Sequence, residues 1–157
     1  MAAWQVDFYV VPRRALATSG SGSTAALSDT NWWASHDLPS DYQRRLAAIA
    51  PAASSGTADL QTWGSEDGNR VDVWSDGGRV STLMARIDVR RLDSRFGAAL
   101  LHFVRSVDAV LVRSDGLVVE PRIGEYAAAL RTSDAWRFAS DPAAYLAGYS
   151  KDDDGDE

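Results

Sequence analysis

The chain has no cysteine, a single lysine and only two histidines among its 157 residues. The absence of cysteine excludes disulfide scaffolds, thiolate metal sites and cysteine nucleophiles. It also fits a reducing cytoplasm, which is the location we expect. The cations are almost all arginine, and alanine is abundant. This composition favours a bacterial source with a GC-rich genome.

Long apolar runs are also lacking, since none approaches the roughly 20 residues of a membrane-spanning helix. The first residues show no basic segment followed by an apolar one, so no secretory signal and no membrane partner are predicted. A chain of this length predicts one domain, over residues 1–150, that buries a core without disulfides or a metal.

The net charge of −6 is concentrated in the last residues. Residues 152–157 hold five of the 22 acids, which leaves 17 in residues 1–151 against 16 lysines and arginines. Such a dense acidic run repels itself and has nothing apolar to bury, so residues 151–157 are predicted to form a disordered tail. The nearly neutral remainder has no arginine cluster interleaved with aromatics, and no nucleic-acid partner is expected.

Residues 63–91 predict the centre of the fold. Two turn sequences, Asp67-Gly68 and Asp76-Gly77-Gly78, separate three strand-like runs, which indicates an antiparallel meander. A strand precedes the meander at residues 4–11, with a helix ending near Pro51. An amphipathic helix, a short hairpin and a last helix are predicted after it, at residues 94–108, 109–120 and 142–149.

The order β-α-βββ-α-ββ-α groups strands together instead of alternating them with helices. This order predicts an α+β fold with a mainly antiparallel sheet of about six strands and helices packed on one face. The position of the first strand within the sheet stays open.

The register of the meander decides which side chains share a face. A three-residue loop, Asp76 to Gly78, is predicted because it brings the apolar positions of both strands together. The predicted core face carries Val71, Val73, Leu83, Ala85, Ile87 and Val89. The other face carries Asp72, Trp74, Met84, Arg86, Asp88 and Arg90.

Catalytic residues are not apparent. His102 lies on the polar side of an amphipathic helix, and the His36-Asp37 pair lacks the further ligands or bases of a metal or acid–base site. The strand carboxylates Asp7, Asp72 and Asp88 are explained most simply as partners of strand arginines. We therefore predict no catalytic residue, no metal site and no cofactor.

The aromatic residues provide the remaining indication of function. Six tryptophans are many for this length, and tryptophan is enriched at binding hot spots. Trp32 and Trp33 are adjacent in a polar loop, so both cannot easily face one core, and an exposed patch of Trp32, Trp33, Trp63 and Trp74 is predicted. The full set of candidate binding residues is Trp32, Trp33, His36, Trp63, Asp72, Trp74, Arg86, Asp88 and Arg90.

These observations favour a small cytoplasmic bacterial protein that binds another macromolecule and has no catalysis of its own. An inhibitor of the immunity or antitoxin type is a concrete form, with a protein partner or a second copy of the chain. The alternative is a small-molecule binder or small enzyme with a pocket between the sheet face and the Trp32–His36 loop.

Overall fold

An antiparallel sheet organises the part of the chain that the computed structural model describes, which is residues 2–19, 31–54, 57–141 and 143. Within these residues the strands are β1 Gln5–Pro12, β2 Ala52–Ala53, β3 Leu60–Gly64, β4 Arg70–Asp76, β5 Arg79–Asp88, β6 Ala109–Arg113 and β7 Val118–Val119. The helices are α1 Arg13–Ser19, α2 Tyr42–Ala47, α3 Ser94–Ser106, α4 Ile123–Arg131 and α5 Asp134–Ser140.

The predicted α+β class with a mainly antiparallel sheet is confirmed, with seven strands instead of about six in the described residues. The additional strand is β2, in a segment that looks like a linker in the sequence, and helix α1 follows β1 without a loop. The predicted acidic tail at 151–157 and, apart from residue 143, the predicted last helix at 142–149 lie outside the described residues.

The strand order is β2-β3-β4-β5-β1-β6-β7, which places the first strand in the interior of the sheet. Strand β1 pairs antiparallel with both β5 and β6, so these two strands run in the same direction. Helix α3 connects them. Seven of the eight residues of β1 are buried, as expected for a central strand with neighbours on both sides.

The β4–β5 hairpin has a different loop from the predicted one. Gly77 and Gly78 form a two-residue turn with φ values of 61° and 81°, a backbone that glycine adopts without strain. The prediction of a three-residue loop is therefore wrong. The register changes instead at a bulge, where Trp74 opposes Thr82 but Ser75 opposes Val80, leaving Ser81 as the extra residue.

The bulge shifts the register by one residue, as the predicted three-residue loop would have done. It therefore assigns the side chains to the same two faces. Val71 opposes Ala85 and Val73 opposes Leu83, so the apolar positions of β4 and β5 share one face. The predicted division of the meander into an apolar and a polar face is thus confirmed.

Helices α3 and α4 pack on the apolar face. The Phe8 ring of β1 lies 5.9 Å from the Tyr126 ring of α4, measured between centroids. Helix α3 buries Phe96, Leu100, Leu101, Phe103 and Val104. Each such side chain contributes roughly 2 kcal/mol through the apolar area it removes from water. None of the described helices has the length and apolar character needed to cross a bilayer.

Candidate functional site

The sheet face opposite α3 and α4 carries charged side chains that are largely buried, and we call it the ion-pair face. Its members are Asp7, Arg70, Asp72, Arg86, Asp88 and Arg90. Side-chain alternation along the strands brings the group together, because directly opposed residues point to the same face. Arg86 of β5 opposes Asp7 on one side and Arg70 on the other.

Two ion pairs occupy the middle of this face. Asp7 Oδ1 lies 2.8 Å from Arg86 Nε across the β1–β5 pairing. Asp72 Oδ2 lies 3.1 Å from Arg70 Nε, and Asp72 Oδ1 accepts a 2.7 Å hydrogen bond from Thr62 Oγ1 of β3. All four charged side chains are more than four-fifths buried, so removing one partner would leave an uncompensated charge away from water.

A third pair lies where β5 ends. The Arg90 guanidinium donates to both oxygens of Asp88, from Nε at 3.1 Å and from Nη2 at 2.9 Å. The same guanidinium stacks 4.0 Å above the Trp4 ring, an arrangement that adds cation–π attraction. Asp88 is almost fully buried, whereas Arg90 is half exposed and covers it.

The contacts of Asp88 determine its ionisation. Burial raises its pKa, but hydrogen bonds from the side chain and backbone of Arg90, with the charges of Arg90 and Arg91, outweigh burial and lower the pKa below its ordinary value. A carboxylate held ionised in this way is a poor proton donor or acceptor at neutral pH. In the described part of the chain, no group of three or more histidine or acidic residues is placed to hold a metal ion.

The predicted exposed aromatic patch is wrong for three of its four residues. Trp32, Trp33 and Trp63 are buried, with exposed fractions of 7, 2 and 5 %. Trp63 lies on the apolar face, because it opposes Val71 in the β3–β4 pairing. Trp74 differs from them, since it lies beside the bulge on the polar face and is 41 % exposed.

Trp33 is buried because its loop bridges two strands that separate. The β1–β5 pairing ends at Tyr9 and Met84, although both strands continue. Beyond that point the Trp33 indole N–H donates to the Val10 carbonyl at 2.9 Å, and its backbone N–H donates to the carbonyl of the bulge residue Ser81 at 3.4 Å. The Trp33 loop therefore replaces hydrogen bonds that the sheet no longer makes.

The His36-Asp37 segment does not assemble a site in the described residues. His36 is half-buried, and its backbone N–H donates to the Trp33 carbonyl. Asp37 is exposed and forms a 3.0 Å ion pair with exposed Arg79 at the hairpin. Exposed pairs of this kind contribute little to stability. The helix groove, described next, is not lined by the Trp32–His36 loop.

A second region, on the helix side, did not figure in the sequence prediction, and we call it the helix groove. It is an apolar cleft of about 250 Å³ between the start of α3, α4 and α5. Its apolar lining is Leu92, Gly97, Ile123, Tyr126, Ala127, Leu130 and Trp136. Leu92 and Ile123 are exposed by 52 and 66 %, so the rim of the groove presents apolar surface to water.

The exposure of Leu92 follows from the way α3 begins. Asp93 is the N-cap, and its Oδ1 accepts hydrogen bonds from the backbone N–H groups of Arg95 and Phe96. A residue such as Leu92, just before the cap, commonly packs against the fourth helical residue. That residue here is Gly97, where an added Cβ would lie 3.2 Å from the Tyr126 ring, so Leu92 lacks the usual partner side chain at this position.

The missing partner of Leu92 can be recognised in the sequence. The Asp93-Ser94 start, with Leu92 before it and glycine four residues after the cap, indicates an apolar residue without its usual partner. The closure of the groove by α4 and α5 depends on long-range packing, which no local pattern contains.

One exposed arginine lines the helix groove, and two more lie in a neighbouring groove. Arg131 lines the helix groove itself, and Arg91 and Arg95 line a wider open groove that shares Leu92 with it. Within the part of the chain that the structure describes, none of these three arginines takes part in an ion pair. Arg95 and Arg131 are therefore available to carboxylates from outside, and Arg91 is available apart from its longer-range attraction to Asp88.

Tyr126 supplies a polar group at the groove. Burial, and to a smaller extent the negative charge of Asp93, raises the pKa of its phenol well above the ordinary value. The hydroxyl consequently keeps its proton over the whole physiological range and can donate a hydrogen bond to a bound group.

Comparison of the chain with models of protein families, with curated proteins and with solved structures finds no match.

Proposed function

We propose that this chain is a binding protein, which holds another protein through the surface that includes the helix groove and performs no catalysis itself. The observation that carries the proposal is the pair of exposed aliphatic residues, Leu92 and Ile123, on the rim of an apolar cleft. Apolar side chains in that position lose contact with water when a partner covers them, which favours association.

The ion-pair face is less suited to binding a partner, which also favours the helix groove as the binding surface. Its carboxylates are committed to arginines of their own chain, so an incoming ligand would have to break buried ion pairs before forming new ones. Such a face stabilises the fold more readily than it recognises a partner. An inhibitor of the immunity or antitoxin type, in a bacterial cytoplasm, is the form of this function that we propose.

A matched capture experiment tests the proposal. Purified protein is immobilised as wild type, as the Leu92→Ser/Ile123→Ser variant and as Trp74→Ala, which removes an exposed aromatic far from the groove. Each is exposed to lysate of the source cells, and a retained protein is identified, purified and titrated against all three by calorimetry.

One stoichiometric partner retained by wild type and by Trp74→Ala, but lost with the groove variant, is the expected result. A partner lost with Trp74→Ala and kept by the groove variant would move the binding surface to the sheet. Turnover of a substrate by the purified chain would contradict the proposal altogether.

A further inference from the structure

Resting on the proposed function, we infer that the helix groove binds a protein segment in which one large apolar side chain is flanked by carboxylates. The apolar side chain enters the cleft beside Leu92 and Ile123, and the carboxylates pair with Arg91, Arg95 and Arg131. The inference names the chemistry of the partner, which the proposed function leaves open.

The apolar anchor follows from the lining and the size of the cleft. At about 250 Å³ it is too small for most cofactors but admits a side chain the size of leucine or phenylalanine. Leu92 lacks the usual partner side chain on α3, since the fourth helical position is Gly97. An inserted apolar side chain supplies the contact that the missing side chain would have made.

The charges around the cleft favour carboxylates in the bound segment. Arg91, Arg95 and Arg131 are exposed and form no ion pair with the described residues. Asp93, which also lines the cleft, accepts two backbone N–H groups at the positive end of α3, and this offsets part of its negative charge. Asp67 lies in the wider groove, where its charge acts on Arg90. Acidic flanks therefore complement the rim, whereas basic flanks would meet like charges.

A random-peptide display library, selected on the wild-type protein and counter-selected on the bare support, tests this inference. Peptides that survive both steps are synthesised, and their dissociation constants are measured by fluorescence anisotropy at low and at high sodium chloride. The variants compared are Ile123→Ser, Arg95→Gln/Arg131→Gln and the distant control Trp74→Ala.

We expect enrichment of peptides with one large apolar residue and aspartate or glutamate on both sides. Binding should weaken about tenfold or more with Ile123→Ser. It should weaken severalfold with Arg95→Gln/Arg131→Gln and with added salt, and stay unchanged with Trp74→Ala. Enrichment of neutral or basic peptides, or indifference to Ile123→Ser, would overturn the inference.

Three further outcomes are decisive. If a synthetic peptide of residues 144–157, which combines aromatic and acidic residues, displaces the selected peptides with comparable affinity, the groove is a site for the chain itself and the inference is wrong. If the capture experiment yields a groove-dependent partner while the library selects a different chemistry, the inference fails and the proposed function stands. Failure to capture any groove-dependent partner instead removes the proposed function.

Discussion

The ion-pair face and the helix groove lie on opposite sides of one sheet. They differ in whether their side chains already have partners in the same chain. On the ion-pair face, buried carboxylates meet arginines of the same chain at 2.8 to 3.1 Å. Around the helix groove, aliphatic side chains are exposed and three arginines have no ion-pair partner in the described residues. Charge alone is therefore a poor guide to a binding surface, because most charges on the sheet are already paired.

The difference has a consequence for substitutions. Changes on the sheet side should lower the stability of the fold and leave partner affinity intact in the molecules that remain folded. Changes at the helix groove should lower partner affinity and leave the stability of the fold nearly unchanged.

The largest loss of stability is expected for Trp33→Ala. Removing the indole creates a cavity and leaves the Val10 carbonyl without its donor, so the free energy of unfolding should fall by about 4 kcal/mol. Urea denaturation followed by circular dichroism measures the change. Trp33→Phe, which keeps most of the packing and loses the N–H, should lose roughly 1–2 kcal/mol. A stable Trp33→Ala protein that no longer binds its partner would restore the predicted binding role of this residue.

Asp72→Ala is expected to have the next largest effect. It leaves the Arg70 guanidinium buried without its carboxylate and Thr62 without its acceptor, at a cost of about 3 kcal/mol. The matched control is Arg70→Met/Asp72→Val, which removes both charges and should be more stable than the single variant. Equal stability of the two variants in urea would show that the pair is not buried in the manner described.

The acid sensitivity of the fold should depend on Asp88. Its pKa is lowered in the folded protein from an ordinary value of 3.8, so its contribution is complete above that value and is lost as pH falls through the folded pKa. Asp88→Asn should be about 2 kcal/mol less stable at neutral pH and lose less stability than wild type below about pH 4. Thermal melts between pH 6 and pH 3 measure both slopes, and parallel slopes would contradict the assignment.

The smallest effect on stability is expected at the helix groove. Leu92→Ser and Ile123→Ser replace exposed side chains, and each should change the free energy of unfolding by less than about 0.5 kcal/mol. Urea denaturation under the conditions used for Asp72→Ala provides the comparison. A loss of several kcal/mol in either variant would mean that these side chains are covered in solution.

Local patterns in the sequence predicted much of the fold. Alternation in β4 and β5 assigned the two faces correctly, and helical spacing located α3, because both signals are periodic over several residues. The turn type was wrong, since a bulge at Ser81 can produce the same faces as a longer loop. Strand order was not predictable, because it depends on which distant segments pair.

The candidate site was harder to predict for the same reason. Trp32 and Trp33 looked exposed because adjacent side chains rarely share a core, but the gap between β1 and β5 that receives Trp33 exists only in the folded sheet. One local pattern in the sequence indicated the helix groove. Leu92 precedes the N-cap of α3, and the fourth residue of that helix is Gly97. The walls of the groove come from α4 and α5, which only tertiary packing brings to α3.

The most direct measurement is the dissociation constant of a library-selected peptide for Ile123→Ser, with Trp74→Ala as the reference. The two residues are both exposed and apolar, and they lie on opposite sides of the sheet. We expect binding about tenfold weaker or worse for Ile123→Ser and no change for Trp74→Ala. Unchanged binding by Ile123→Ser together with a loss for Trp74→Ala would contradict it and place recognition on the polar side of the sheet.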